Sequence, residues 1–253
     1  MKKTTLITGA SSGIGKACAK KFASNGHHLI ITGRRAGRLE QLAKDLSNKY
    51  NITVLPLVFD IRKKQDVEDA IVKIPADVKI DVLINNAGLA AGLAPLQEGS
   101  IDDWEQMIDT NIKGLLYISR AISRKMIENG KGHIINIGSI AGKEVYPSGN
   151  VYCATKHAVD ALTKGMRIDL LPYGIKVTQV APGLVETEFS LVRFKGDNAI
   201  ADKVYKGYEP LKGEDIAEVC YYVTTLPGRV NINDLLIMPT AQANATTVLK
   251  KEA

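Results

Sequence analysis

The chain has 253 residues, 45% hydrophobic and 24% charged, with a formal net charge of +6; this length and balance suit a folded globular protein with a full core. Its Lys and Arg residues are scattered rather than gathered into a stripe with interleaved aromatics, so the positive balance favours solubility over nucleic-acid binding. No run of 18 apolar residues argues for a membrane span, and Cys18, Cys153 and Cys220 have neither metal-ligand spacing nor the even count of a disulfide framework.

In chain order, Lys3 to Thr8 is a short apolar run that reads as a first strand and ends at Gly9. Gly13 to Asn25 has helical apolar spacing at Ile14, Ala17, Cys18 and Phe22, closed by Asn25-Gly26. His28 to Thr32 is a second strand, Arg38 to Asn48 a helix, Thr53 to Phe59 a third strand, Arg62 to Val72 a helix and Ile80 to Ile84 a fourth strand. A long helical region starts at Asp102 and continues through Ile112 to Ile127; Gly132 to Ile137 is a fifth strand. Asn150 to Leu171 is a helix stopped by Pro172 and Gly174, and Ile175 to Val180 a sixth strand. Gly183 to Pro210 has no clear period; a stretch this long inside a domain is usually functional, often a lid. Asp215 to Thr225 is a helix and Ile232 to Met238 a last strand. Strands alternating with helices, and apolar along most of their length, predict a parallel sheet covered on both faces. The expectation is one α/β domain over 1–253, a Rossmann-type doubly wound sheet of about seven strands in the order 3-2-1-4-5-6-7, with a lid near 184–210.

The first strand feeds Thr8-Gly9-Ala10-Ser11-Ser12-Gly13-Ile14-Gly15 and then a helix. Glycines allow a tight turn and close backbone approach to a pyrophosphate, which the helix N-terminus receives with free N–H groups and the positive end of its dipole. The spacing is G-x-x-x-G-x-G, and the strand–turn–helix setting gives it weight. The second strand ends in Gly33-Arg34-Arg35. An acidic residue at this place bonds the free ribose hydroxyl of NAD, whereas arginine accommodates the 2′-phosphate of NADP. Two arginines and no acid point to NADP.

The fifth strand ends at Ser139, and Tyr152 and Lys156 follow four residues apart on a helix, so they share one face. A hydroxyl, a phenol and an ammonium can meet there. His133, at the far end of the strand, and His157, about 100° around the helix from Lys156, are not expected to be catalytic.

These features, with Asn85-Asn86-Ala87-Gly88, Asn111 and Pro182-Gly183 in order, resemble the short-chain dehydrogenases/reductases over nearly the whole chain. The resemblance implies that Gly9, Ser11, Ser12, Gly13, Ile14, Arg34, Arg35, Asp60, Ile61, Asn86, Ala87, Gly88, Tyr152, Lys156, Pro182, Gly183, Val185 and Thr187 hold the cofactor. In that family Asp60-Ile61 matches the pair at the adenine, and Pro182 to Thr187 the segment along the nicotinamide. It implies further that Tyr152 is the general acid/base, that Lys156 also holds the nicotinamide ribose, that Ser139 orients the substrate oxygen and that Asn111 anchors a water chain. A free phenol has a pKa near 10, and lowering it by roughly three pH units takes about 4 kcal/mol of preference for phenolate; Lys156 and the oxidised nicotinamide are the expected sources.

The runs Asp103–Asn111, Glu188–Asp197 and Val230–Asn233 are similar to the NADP-dependent 3-hydroxy acid dehydrogenase branch, which includes serine 3-dehydrogenases. That resemblance implies a small 3-hydroxy acid substrate, of the L-serine, L-allo-threonine, 3-hydroxypropionate or 3-hydroxyisobutyrate type, or the matching semialdehyde. Arg193 is the candidate for holding its carboxylate; a solvated loop arginine or one on a cofactor phosphate is the competing reading. Alternatives are a broad-range NADPH carbonyl reductase, a 3-oxoacyl reductase, or a non-catalytic nucleotide-sensing regulator on the same fold. No metal, nucleic acid or membrane partner is expected. The family implies a homotetramer, and the tail after Pro239 lacks pattern. The basic start at Met1-Lys2-Lys3, whose apolar run breaks at Gly9, the Lys250–Ala253 end and the sequons at Asn51 and Asn244 are read as chance likenesses to targeting or glycosylation signals, and a cytoplasmic location is expected.

Overall fold

The structure, a computed structural model, describes residues 2–251. Strand β1 (Thr4–Ile7) leads to helix α1 (Gly13–Ser24), β2 (His28–Gly33), α2 (Ala36–Tyr50), β3 (Val54–Val58), α3 (Lys64–Val72) and β4 (Val82–Asn85). Helix α4 (Ile101–Ile108) and α5 (Leu115–Glu128) precede β5 (Gly132–Ile137), and α6 (Asn150–Leu170) precedes β6 (Ile175–Pro182). Then come β7 (Val185–Glu186), α7 (Phe189–Arg193), α8 (Asn198–Tyr205), β8 (Leu211–Lys212), α9 (Gly213–Thr225) and β9 (Asp234–Ile237).

Seven strands form one sheet in the order β3-β2-β1-β4-β5-β6-β9, every neighbouring pair parallel. This is the expected doubly wound order; the last strand is ninth in the chain because β7 and β8 pair separately in the lid. Alternation along the strands sends side chains to two cores. Leu6, Ile30, Leu83, Ile134 and Val177 face Val67, Ile71, Ile118, Ile122 and Met126 of α3 and α5. Ile7, Ile31, Ile84, Ile135 and Val180 face Cys18 and Phe22 of α1, Leu39 and Leu42 of α2, and Ile216 and Cys220 of α9. Burying each such side chain contributes roughly 2 kcal/mol, so a register slip, which would turn a whole strand face outward, is strongly disfavoured.

From β3 at one edge the chain returns to β4 beside β1. The connections from β1 and β4 then leave in opposite directions, which opens a crevice at their carboxyl ends, the place where ligands bind in such sheets. A polar chain crosses the sheet just below it. The Asn85 side chain donates to Ser119 and Asn136, and Asn136 donates to Thr163.

Two expectations are corrected, and a stretch without pattern in the sequence, the tail after Pro239, takes a definite place. The helix expected to run unbroken from Asp102 is interrupted by a π-helical turn, Asp109–Gly114, that carries Asn111; one extra residue per turn leaves the apolar period almost unchanged, so the pattern conceals it. The stretch 183–210, which shows no period, contains α7 and α8, five and eight residues long and too short for a repeat to register. Its stops are local: Asp197 caps α8 by accepting from the Ile200 amide at 3.0 Å. The tail after Pro239 is ordered against the lid, with an antiparallel bridge Gln242↔Val248 and the Lys251 amide donating to the Gly207 carbonyl at 2.8 Å. Met1 and the end of the Lys250–Ala253 segment lie outside the described residues. No described helix is long and apolar enough to cross a membrane.

Candidate active site

The turn after β1 is built by close backbone packing. Gly9 has φ +66°, and a Cβ there would lie 2.9 Å from the Ala87 Cα; a Cβ on Gly15 would lie 2.4 Å from the Gly9 carbonyl oxygen. Asn86 fastens the turn by donating to the carbonyls of Thr8 and Gly9, and Thr8 Oγ1 accepts from the amides of Asn86 and Ala87. The first turn of α1 holds no acidic side chain, and Ser12 does not cap it, so its amides are open to an anion. Thr187 lies over this turn, 3.2 Å from where a Gly13 Cβ would be. The turn thus brings Gly9, Gly13, Asn86, Ala87 and Thr187 together.

The arginine pair divides. Arg35 donates to Ser11, Ser12 and Glu188. Arg34 bears on Asp60 through its charge alone: the Asp60 carboxyl is held below the usual range chiefly by hydrogen bonds from Arg62, with Arg34 adding to the effect. Asp60 is thus already paired by Arg62, at 2.9 and 3.0 Å from Nε. Ile61 packs on Gly114, where a Cβ would meet it at 3.0 Å. Pro182 closes β6, Val185 is buried in β7, and Gly183 is wedged against Gln242 of the tail, with 2.5 Å left for a Cβ.

Helix α6 presents Tyr152 and Lys156 on its buried face. The Ser139 hydroxyl accepts from the Ala141 amide at 3.1 Å. Lys156 Nζ donates to the Ile137 carbonyl at 3.0 Å and lies 5.9 Å from the Tyr152 ring centre. Burial pushes Lys156 down from 10.5 to about 8. Tyr152 departs from expectation. Burial pushes its phenol well above the usual tyrosine range, and only Ser139 and Arg193 pull against that. The same water exclusion that shields the site penalises both phenolate and ammonium. The protein's own groups thus hold the phenol protonated.

The Asn111 side chain is bonded to the protein itself. Its amide donates to the Leu89 carbonyl and Thr155 Oγ1, and its oxygen accepts from the Leu89 amide. The side chain braces the loop after β4, and Gly88 lies between Asn111 and Lys156 with a Cβ position 3.2 and 3.7 Å from them. His133 is buried on Thr178 and His157 bonds the Cys153 carbonyl; neither joins the site.

Arg193, in the last turn of α7, does. Its guanidinium lies 5.4 Å from the Tyr146 ring and 5.7 Å from the Tyr152 ring. Nε donates to the Gly92 carbonyl at 3.2 Å, while Nη2 is buried without a partner among the described residues. Sequence reasoning missed what surrounds it. Tyr146 and Phe189 pack against the buried cluster of Leu89, Ala90, Met107, Tyr152 and Cys153. The lid is latched to the body by Gly92 N–H donating to the Arg193 carbonyl at 2.9 Å and by Lys195 on Asp103 at 2.9 Å. Asp103 was visible only as part of a branch likeness; nothing local marks Tyr146 or Gly92.

A buried phenol and ammonium one helical turn apart, faced by a hydroxyl and lying beside an anion cradle at the carboxyl edge of a doubly wound sheet, are the equipment of a nucleotide-dependent oxidoreductase. The short chain dehydrogenase pattern matches residues 3–197, and the chain belongs to that family. It is 48% identical over 242 residues to the NADP-dependent 3-hydroxy acid dehydrogenase of Salmonella typhi, covering 95% of this chain and 96% of that one. It is 46% identical over 245 residues to sulfoacetaldehyde reductase 2 of Chromohalobacter salexigens, covering 96% of each. Among solved structures, the closed form of a serine dehydrogenase complexed with NADP+ superposes with a TM-score of 0.91 at 44% identity, covering 98% of this chain and all of that one.

Proposed function

We propose that the protein is an NADP(H)-dependent oxidoreductase that interconverts a small 3-hydroxy acid and the matching semialdehyde. The observation that carries the substrate class is Arg193: a half-buried arginine beside the Tyr152 ring whose Nη2 is buried without a partner among the described residues. An unpaired buried donor of a charged group costs several kcal/mol if it stays unsatisfied, so this nitrogen is suited to an anion. A carboxylate on Arg193 sets a hydroxyl two carbons away toward Tyr152 and Ser139. Both relatives named above carry in their names a substrate with an acid group near the reacting carbon, which supports the reading.

The residues fit the cofactor. The Gly9–Gly15 turn, the open first turn of α1 and the Arg34–Arg35 pair suit a pyrophosphate and a 2′-phosphate. When bound, the nicotinamide supplies the hydride acceptor or donor. The chain's residues do the rest: Ser139 orients the substrate oxygen, Tyr152 holds or releases the proton at its phenol with Ser139 and Arg193 favouring the phenolate, and Lys156 holds the ribose. The chain is taken as one domain with a lid over about 184–210, acting as a homotetramer in the cytoplasm.

Turnover of L-serine, L-allo-threonine, 3-hydroxypropionate and sulfoacetaldehyde against a simple secondary alcohol tests this reading. Arg193→Leu is expected to raise KM for the acids at least about tenfold, as befits a charged hydrogen bond, with the dinucleotide still bound. Preference for the neutral alcohol, or an unchanged KM, overturns the substrate class and leaves the family intact.

A further inference from the structure

The entrance of the lid is tied to two arginines at the start of α2, its cap Arg35 and Arg38 in its first turn. Glu188, immediately before α7, receives Arg35 Nη1 on Oε2 at 2.8 Å, and Arg38 Nη1 on Oε1 at 2.7 Å and Oε2 at 3.0 Å. Arg35 also donates from Nε and Nη2 to Ser11 Oγ at 3.0 and 2.9 Å, and from Nη2 to Ser12 Oγ at 2.6 Å. These partners are 153 and 24 residues away in sequence. One guanidinium thus joins the glycine turn to the lid.

Guanidinium has five N–H donors and no acceptor, and Arg35 already spends four of them on these bonds. A phosphate taken in the fork geometry needs two adjacent donors, so it must displace a partner. The serine hydroxyls need not leave, because each can rotate and donate to the phosphate itself. Glu188 cannot. An ionised carboxylate only accepts, and it repels a second anion on the same cation. Its Arg35 and Arg38 contacts hold it below the usual carboxylate range, so it stays ionised at neutral pH.

Resting on the NADP reading above, we infer that Glu188 is a cofactor-selectivity residue that competes with the 2′-phosphate for Arg35, so that reading the phosphate and seating the lid draw on one guanidinium. Arg38 keeps Glu188 after Arg35 is taken, which re-seats the lid entrance rather than releasing it.

Calorimetric titration of the dinucleotide-free protein with 2′,5′-ADP and with 5′-ADP tests the inference without turnover. Glu188→Gln is expected to tighten 2′,5′-ADP about fivefold, the scale of one or two exposed ion pairs, and to leave 5′-ADP unchanged. Glu188→Asp keeps the charge and is expected to stay within about twofold of the parent for both. Unchanged 5′-ADP binding also certifies that each variant is folded. If Glu188→Gln binds 2′,5′-ADP no tighter than the parent, or tightens both ligands equally, the competition is refuted while the NADP reading stands. If the parent itself does not prefer 2′,5′-ADP to 5′-ADP, the NADP reading fails and takes the inference with it.

Discussion

Replacing Lys156 by Met is expected to stabilise the fold while abolishing activity. The side chain is 7% exposed, and the polar contact of its ammonium is the Ile137 carbonyl at 3.0 Å; no carboxylate pairs with it among the described salt bridges. Burial depresses it from 10.5 to about 8, which at neutral pH amounts to about 3 kcal/mol of destabilisation by the charged form. Met keeps the length and apolar stem and removes that term, but it leaves the Ile137 carbonyl without its donor, a loss of about 1 kcal/mol. The net gain is therefore about 2 kcal/mol at pH 7. The sign reverses the usual lysine case. Between about 8 and 10.5 the unfolded chain binds the proton that the folded chain has lost, so parent stability rises with pH through that window and the advantage of the variant shrinks. Urea denaturation at fixed protein concentration, at pH 7 and at pH 9.5, measures both effects; 9.5 stays below the ordinary value of tyrosine, so Tyr152 does not confuse the comparison. A variant less stable than the parent at pH 7, or an advantage that grows with pH, refutes the reasoning.

Tyr152→Phe removes the proton carrier and keeps the ring that packs 5.6 Å from Phe189; kcat is expected to fall about 10³-fold, in the range of lost general acid/base catalysis, with cofactor binding by fluorescence titration unchanged. Gly15→Ala places a Cβ 2.4 Å from the Gly9 carbonyl and is expected to destabilise by about 2 kcal/mol or more, read as a lowered denaturation midpoint with weakened cofactor binding. Asp103→Ala breaks the 2.9 Å pair with Lys195 that latches the lid; faster proteolysis within 184–210 is expected, with stability changed by less than about 1 kcal/mol because the lysine is exposed.

Much of the molecule is legible locally. The apolar runs of β1, β2, β4, β5 and β6 and the Asn-Gly and Pro-Gly stops need only neighbours in sequence, and the sheet order is the one the family resemblance implies. The glycine turn and the Tyr152–Lys156 pair are legible for the same reason, since their geometry is set within one element. The short lid helices and the π-helical turn at Asp109–Gly114 were not, because five residues cannot display a period and a single inserted residue hardly disturbs one.

What the amino-acid order determined by itself was the fold, the family and the identity of the reacting side chains: these depend on backbone periodicity and on spacings within a turn or a helix. Only the tertiary structure decided their state. It buries Tyr152 deeply enough to push its phenol up rather than down, seats Arg193 of α7 against Tyr146 and against Gly92, the latter 101 residues upstream, and lays Glu188 on Arg35 across 153 residues. Those juxtapositions arise where aperiodic loops from different crossovers meet at the carboxyl edge of the sheet. Charge and desolvation there depend on distance in space, which no local pattern encodes.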